Sequence, residues 1–194
     1  MKQALQYPKR GELRIEELPA PALKVGGVVI ANSASLISAG TERAIIELAE
    51  KSIVGKARQR PDLVRQVISK VKTEGLLNTY RKVKGRLEAP VALGYSCAGV
   101  ISELSPEITE LALGQRVAAA GFGYACHAEM VFVPKNLTVP IPERVSMEEA
   151  SFVTLGAIAL QGVRQANPTL GETIAVVGLG LLGQLTMQIL KANG

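Results

Sequence analysis

Thr173-Ile174-Ala175-Val176-Val177-Gly178-Leu179-Gly180-Leu181-Leu182-Gly183 decides how this chain is read. An apolar, largely β-branched run enters a Gly-x-Gly-x-x-Gly turn, and Leu182, Leu185, Ile189 and Leu190 continue it at helical spacing. The pattern predicts a buried strand, a glycine turn and a helix, the opening of a dinucleotide-binding unit. Each glycine has its own task. The first permits the tight turn, the second lets backbone approach a pyrophosphate, and the third lets the helix pack closely. Unpaired N–H groups at the helix start then face the phosphates. Gly178, Leu179, Gly180, Leu181, Leu182 and Gly183 are therefore the candidate cofactor-binding positions.

The chain reaches Gly194 one helix into that unit. A parallel sheet buried on both faces needs further strands, so the sequence reads as a truncated Rossmann domain within a longer polypeptide. The acidic residue that would hold the adenosine ribose sits about 20 residues past the glycines. That position lies past Gly194, which leaves NAD and NADP both open.

Composition sets wider bounds. The 194 residues are 47% hydrophobic and 20% charged, enough for a buried core in one or two domains. No apolar run is long enough for a membrane span, and Met1-Lys2-Gln3-Ala4 lacks a signal-peptide core. Cytoplasmic localisation is the expectation. Cys97 and Cys126 are too few for a secreted disulfide framework and read as small, reduced packing residues. The net charge of +5 is uneven: Lys51 to Arg86 holds 11 of the 22 basic residues against only Asp62 and Glu74.

Before Lys51 the chain reads as antiparallel strand at Lys2 to Tyr7, Leu13 to Glu17 and Gly27 to Ser35. Strand-like runs return at Cys97 to Leu104, Arg116 to Ala120 and His127 to Val133, with Gly114, Gly121 and Gly123 at the corners. Short strands with glycine corners suggest a small β-barrel-like domain. At Ser146 the character changes. Ser146 and Glu149 form a capping-box signature ahead of Ala157, Leu160 and Val163, which predicts one long helix to about Ala166. Asn167-Pro168 would end it. The predicted organisation is a β-rich domain over 1–145 with a basic helical insertion at about 51–88. A linking helix and an incomplete dinucleotide-binding domain follow over 146–194.

Several strings in this order resemble the medium-chain dehydrogenase/reductase superfamily, which pairs a GroES-like β-barrel domain with a Rossmann domain. Ser38-Ala39-Gly40-Thr41-Glu42 resembles its ICGTD turn, and Leu93-Gly94-Tyr95-Ser96 with Ala98-Gly99-Val100 resembles its LGHE-x-x-G segment. Gly114-Gln115-Arg116-Val117 resembles its GDRV strand, and Val139-Pro140-Ile141-Pro142 through Ala150 resembles the run into the linking helix. The resemblance implies a mixed fold and an NAD- or NADP-dependent oxidoreductase when complete, with a small-molecule substrate. It also implies a homo-oligomer assembled through the cofactor domain. A fragment of this extent is expected to be inactive.

The departures from that pattern carry as much information. Zinc-dependent members bind metal through the Cys of ICGTD, the His of GHE and a third ligand near the linking helix. Here those places hold Ala39, Tyr95 and the Phe152-Val153-Thr154 neighbourhood. Alanine has no lone pair, and a catalytic zinc needs three side-chain ligands, so the expectation is a zinc-independent enzyme with no metal. Cys126 and His127, read as neighbours in one strand, would point to opposite faces and not converge on an ion. The basic insertion resembles a subgroup of bacterial two-domain oxidoreductases, often fused to a Gfo/Idh/MocA-type half, and implies a sugar-related substrate.

Hydride transfer to a carbonyl or activated double bond leaves negative charge that must be stabilised or protonated. Thr41, at the hydroxyl position of the ICGTD-like turn, and Tyr95, in place of the metal-binding histidine, are the candidate catalytic residues. The competing readings are a turn-forming hydroxyl bonding its own backbone and an aromatic filler of vacated space. Glu42 suits the first turn of the following helix, where the dipole favours a carboxylate.

Within the insertion, Leu63, Val64, Val67, Ile68 and Val71 make one apolar helical face, and Leu76, Leu77, Tyr80 and Val83 another. A basic helical hairpin could pack on the β domain with its lysines solvated, or bind an anionic ligand or acidic partner. Nucleic acid is not expected, because Tyr80 alone could stack there and no binding motif accompanies the charge. The alternative to an oxidoreductase is a non-catalytic GroES-like binding or assembly module that docks an acidic surface through this hairpin.

Overall fold

The computed structural model describes residues 1–8, 11–50 and 89–194. The expected basic hairpin falls on residues 51–88 and lies outside the described residues. Two compact units form, one from Met1–Gln3, Glu17–Ser38 and Gly94–Gly194, the other from Ala4–Glu16 and Ala39–Leu93.

In the first unit a five-stranded antiparallel sheet is built from β3 (Gly27–Ser35), β5 (Ser96–Leu104), β6 (Arg116–Ala120), β7 (Met130–Pro134) and β8 (Thr138–Pro140). Its order is β7-β3-β5-β6-β8. Consecutive residues along the central strands are buried, Val28, Val29 and Ile30 on β3 and Val117, Ala118 and Ala119 on β6, so both faces of the sheet are covered. Each large aliphatic side chain sequestered in this way contributes roughly 1.5–3 kcal/mol. Irregularities in the β3–β5 ladder, between Val29 and Ile30 and between Asn32 and Ala34, bend the sheet. The curled half-barrel this produces agrees with the GroES-like β-barrel expected from the short strands.

Strand β7 begins at Met130, three residues later than the predicted run. Cys126 and His127 therefore precede the strand, and the opposite-faces argument does not describe them. Asn32 supplies the reason. Its Nδ2 donates to the carbonyl oxygens of Ala128 at 2.8 Å and Cys126 at 3.3 Å, so a side chain takes up carbonyls that a ladder would otherwise use.

Beyond β8, Arg116 donates from its guanidinium to the carbonyls of Glu143 and Val145, tying the connection to the sheet. The capping box forms as read: Glu149 N–H donates to Ser146 Oγ at 3.1 Å, and Ser146 N–H donates to the Glu149 carboxylate at 2.8 Å. The helix it starts differs from expectation in being split, with α2 at Met147–Ala150 and α3 at Val153–Ala166. Ser151 is the cause. Its hydroxyl donates back to Glu148 O at 2.7 Å, and its own carbonyl accepts from Ser96 Oγ at 2.6 Å. Such back-bonding bends helices. The buried stripe of α3 is Leu155, Ala159 and Val163, at a four-residue spacing, whereas Leu160 is exposed. Asn167 closes α3 in the left-handed region at φ 48°, immediately before Pro168.

Helix α4 (Leu181–Ala192) starts at Gly180 and packs on α3. The stretch 173–177, read as a strand, enters no ladder. A strand needs a partner for its N–H and C=O groups, and none of the described strands lies beside it.

The second unit carries the pairing of β1 (Lys2–Tyr7) with β4 (Val91–Ala92), antiparallel at Leu5 opposite Ala92 and Gln6 opposite Val91. Strand β2 (Glu12–Glu17) flanks β1, giving the order β2-β1-β4. Helix α1 (Ala39–Glu50) places Glu42 in its first turn, as expected, and Glu42 is buried there.

Candidate functional site

The six glycine-turn positions can be assessed one by one. Gly178 has φ +102°, a conformation that side-chain-bearing residues rarely adopt. Nothing lies within 4 Å of a Cβ built on Gly180, so this position faces open space at the start of α4. At Gly183 a Cβ would sit 2.9 Å from the Gly178 carbonyl carbon and closer still to its oxygen. A tight turn, an open approach and a close helix contact therefore fall at the first, second and third glycines. Leu179, Leu181 and Leu182 between them are exposed. A cleft of 420 Å³ nearby is lined by Ile174, Val176, Met187 and Leu190 and by none of the six positions, so it is separate from this turn.

Tyr95 lies half-buried in the bend just before β5. Several hydrogen bonds fix that bend. Its carbonyl accepts from Thr154 Oγ1 at 3.0 Å and from Gly121 N–H at 2.9 Å. The next residue, Ser96, is buried; its hydroxyl donates to Ser151 O at 2.6 Å and accepts from Thr154 N–H at 3.2 Å. The linking-helix segment thus grips the bend through Ser151 and Thr154. Sequence reasoning gave Thr154 and Ser96 no role of their own, because their hydroxyls matter only through partners more than 50 positions away.

Gly94, with φ +91°, completes the bend. A Cβ there would lie 2.9 Å from the imidazole Nδ1 of His127, so glycine is required for the bend to lie against this ring. The same Nδ1 is 2.8 Å from Ser35 Oγ. Thr41 belongs to the other compact unit, where it is exposed on the first turn of α1, rather than in a free turn.

The thiols behave as buried packing groups. Burial, followed by the nearby Cys126, pushes Cys97 up to about 12, and burial pushes Cys126 up to about 11. Neither is ionised near neutrality, and a neutral thiol is a poor nucleophile and a poor metal ligand. Among the described residues no three His, Cys, Asp or Glu side chains gather where they could hold a metal ion. Among the same residues no helix is long and apolar enough to cross a membrane.

Residues 63–143 match the sequence profile of the alcohol dehydrogenase GroES-like domain. L-idonate 5-dehydrogenase of Vitis vinifera is 26% identical over 56% of this chain and 37% of its own length. D-guloside 3-dehydrogenase of Escherichia coli is 31% identical over 53% of this chain and 29% of its own. The match thus spans 29–38% of the length of these curated relatives. The quinone oxidoreductase of Thermus thermophilus, solved alone and with NADPH, superposes with a TM-score of 0.64 at 23% identity, over 99% of this chain and 50% of that one. Profile, relatives and fold agree: the resemblance of this chain is to the medium-chain dehydrogenase/reductase superfamily, as a GroES-like domain leading into the start of a Rossmann-like region.

Proposed function

We propose that this chain is the GroES-like part and the first cofactor-binding turn of an NAD(P)-dependent oxidoreductase acting on a sugar or polyol. The observation that carries the reading is the glycine turn. Gly180 opens onto free space at a helix start, where four backbone N–H groups lack intrahelical partners. A pyrophosphate fits such a cradle by charge and by size. When bound, the nicotinamide cofactor supplies or accepts the hydride. The domain division proposed with it is 1–145 for the GroES-like domain and 146–194 for the linking helix and the beginning of the cofactor domain.

The chain's own residues handle the proton. The Tyr95 phenol, on a bend whose backbone Thr154 and Gly121 anchor, is proposed to give a proton to an alkoxide or take one from an alcohol. Thr41 Oγ1 is proposed as a relay hydroxyl. Zinc has no role in this proposal: Ala39 offers no donor atom, and Thr154 is already engaged with Tyr95 and Ser96. The names of the relatives, an idonate and a guloside dehydrogenase, support a polyhydroxylated substrate. A cytoplasmic homo-oligomer is part of the same proposal.

Nicotinamide fluorescence of the complete natural polypeptide titrated with NADH and NADPH tests the cofactor reading. Saturable enhancement with one of them is expected; none at millimolar cofactor would refute it. Tyr95→Phe should then lower kcat at least about a hundredfold, the usual worth of a positioned acid or base. Unchanged turnover would remove Tyr95 from the chemistry.

A further inference from the structure

Strand β2 is an edge of the sheet β2-β1-β4; among the described residues β1 is its only strand neighbour. Met1 and Leu18 exchange both backbone bonds, Met1 N to Leu18 O at 2.7 Å and Leu18 N to Met1 O at 2.8 Å. Such an exchange recurs at every second residue of an antiparallel pair. Glu16 and Arg14 therefore bond toward β1, and the N–H and C=O groups of Leu13, Ile15 and Glu17 are directed away from it. An outward row of this kind is a template for a further strand.

The side chains do not protect that edge. Leu13, 52% exposed, and Ile15, 67% exposed, share one face, while Glu12, Arg14 and Glu16 alternate with them on the other. The strand has neither proline nor lysine, the usual guards of an edge. Arg14 Nε donates to Glu12 Oε2 at 2.8 Å, and a guanidinium with five donors has capacity for a second carboxylate.

The order of these residues selects one partner and one register. Opposite residues of an antiparallel pair are bonded alike, so a two-fold axis relating two β2 strands must pass through a residue. Centred on Arg14, it opposes two arginines and sets Glu12 against Glu16. Centred on Glu12, Glu16 or Glu17, it opposes two carboxylates. Centred on Leu13, it runs the pairing into Gly11, a turn residue at φ +68° outside the strand. Centred on Ile15, it sets Ile15 against Ile15, Leu13 against Glu17, and Arg14 against Glu16 in both directions. That register joins the strand from Leu13 to Glu17 with no like charges opposed and two opposite-charge pairs formed.

We infer that β2 is a self-association edge whose partner is β2 of a second copy of this chain, paired antiparallel across a two-fold axis at Ile15. Leu13, Ile15 and Glu17 of each copy exchange backbone bonds, and Arg14 of each meets Glu16 of the other. The contact is separate from any assembly through the cofactor domain and independent of the oxidoreductase reading.

Sedimentation velocity of the complete natural polypeptide over a concentration series reads the association, with thermal unfolding as the folding control. Arg14→Glu and Glu16→Arg each oppose like charges across the axis. Each should weaken the association at least about tenfold, with Tm within about 2 °C of wild type because exposed pairs add little to stability. Mixed in equal amounts, the two single variants complement each other, so the mixture should regain the wild-type association. Arg14→Glu/Glu16→Arg should regain it alone. No change within one copy reproduces recovery in the mixture. The inference is overturned if the wild type shows no such association, if the single variants associate like wild type, or if the mixture stays dissociated. Loss in Arg14→Glu but not in Glu16→Arg would refute the register. A lower Tm in Ile15→Lys with association unchanged would show that another segment of the same polypeptide covers β2, and the inference fails there too.

Discussion

Two single-methyl additions separate what the glycine turn does for folding from what it does for binding. In Gly180→Ala the new methyl meets nothing within 4 Å, so the helix should start as before and Tm should move by less than about 2 °C. In the bound state that methyl occupies the approach path of the pyrophosphate. Nicotinamide affinity should fall at least about tenfold, equivalent to about 1.4 kcal/mol. Gly183→Ala differs, because its methyl lies 2.9 Å from the Gly178 carbonyl carbon and nearer to the oxygen, where ordinary contacts begin at 3.4 Å. The neighbour is backbone, so relief requires α4 to move off the turn. Overpacking of this kind costs roughly 1–3 kcal/mol, or about 2–12 °C in Tm for a chain of this size. Thermal unfolding and nicotinamide titration of the complete polypeptide read both effects. Cofactor affinity unchanged in Gly180→Ala, or a Gly183→Ala variant as stable as wild type, would refute the reasoning.

Thr154→Val removes the hydroxyl that donates to Tyr95 O and should cost about 1 kcal/mol in thermal unfolding, with Thr154→Ser restoring it. Ser146→Ala breaks the capping box and should cost about 1 kcal/mol at neutral pH. Glu149→Gln removes the other half of the box, and its deficit should shrink in acid. The hydrogen bonds from Ser146 hold the Glu149 carboxyl below the ordinary range, so this stabilisation is present above the unfolded pKa and is lost as pH falls through the folded one. Native Cys97 and Cys126 should resist an aromatic disulfide reagent at pH 8 and react on unfolding; rapid native labelling would contradict their burial. With folded values of about 12 and 11, their contribution is full below the ordinary thiol pKa and declines as pH rises toward those values.

Features governed by local chemistry were legible in the chain. The Ser146 and Glu149 cap, the Asn167-Pro168 stop and the runs on β1, β3, β5 and β6 depend on neighbours a few residues away or on alternation within one strand. What escaped depended on distant partners. The break after Ser151 arises because Ser96, 58 positions before Thr154, takes the N–H that Thr154 would give to the helix. The late start of β7 arises because Asn32 holds carbonyls 94 and 96 positions away. On α3 the predicted apolar stretch holds one buried residue, Val163, whereas Leu160 is exposed: Leu160 and Leu155 are equally apolar and only packing selects Leu155. For the site, the glycine spacing was readable because each glycine answers to its own backbone, whereas Thr154 matters only through the bend it holds.

That bend shows how neutral groups hold two segments distant in sequence, the start of β5 and the linking helix, in one geometry. Here Ser96 and Thr154 do so with neutral hydrogen bonds: one hydroxyl spans Ser151 O and Thr154 N–H, and the other reaches Tyr95 O. Each such bond has a net worth of about 0.5–1.5 kcal/mol, yet leaving a buried partner unmade costs about 1–3. Ser96 is buried, so the arrangement is enforced more by the penalty for losing it than by its net gain. The break between α2 and α3 follows from the same cause, because Thr154 N–H, which an unbroken helix would donate to Ala150 O, donates to Ser96 Oγ instead. A helix interruption and the tie between that helix and the start of β5 are therefore two consequences of one serine at position 96.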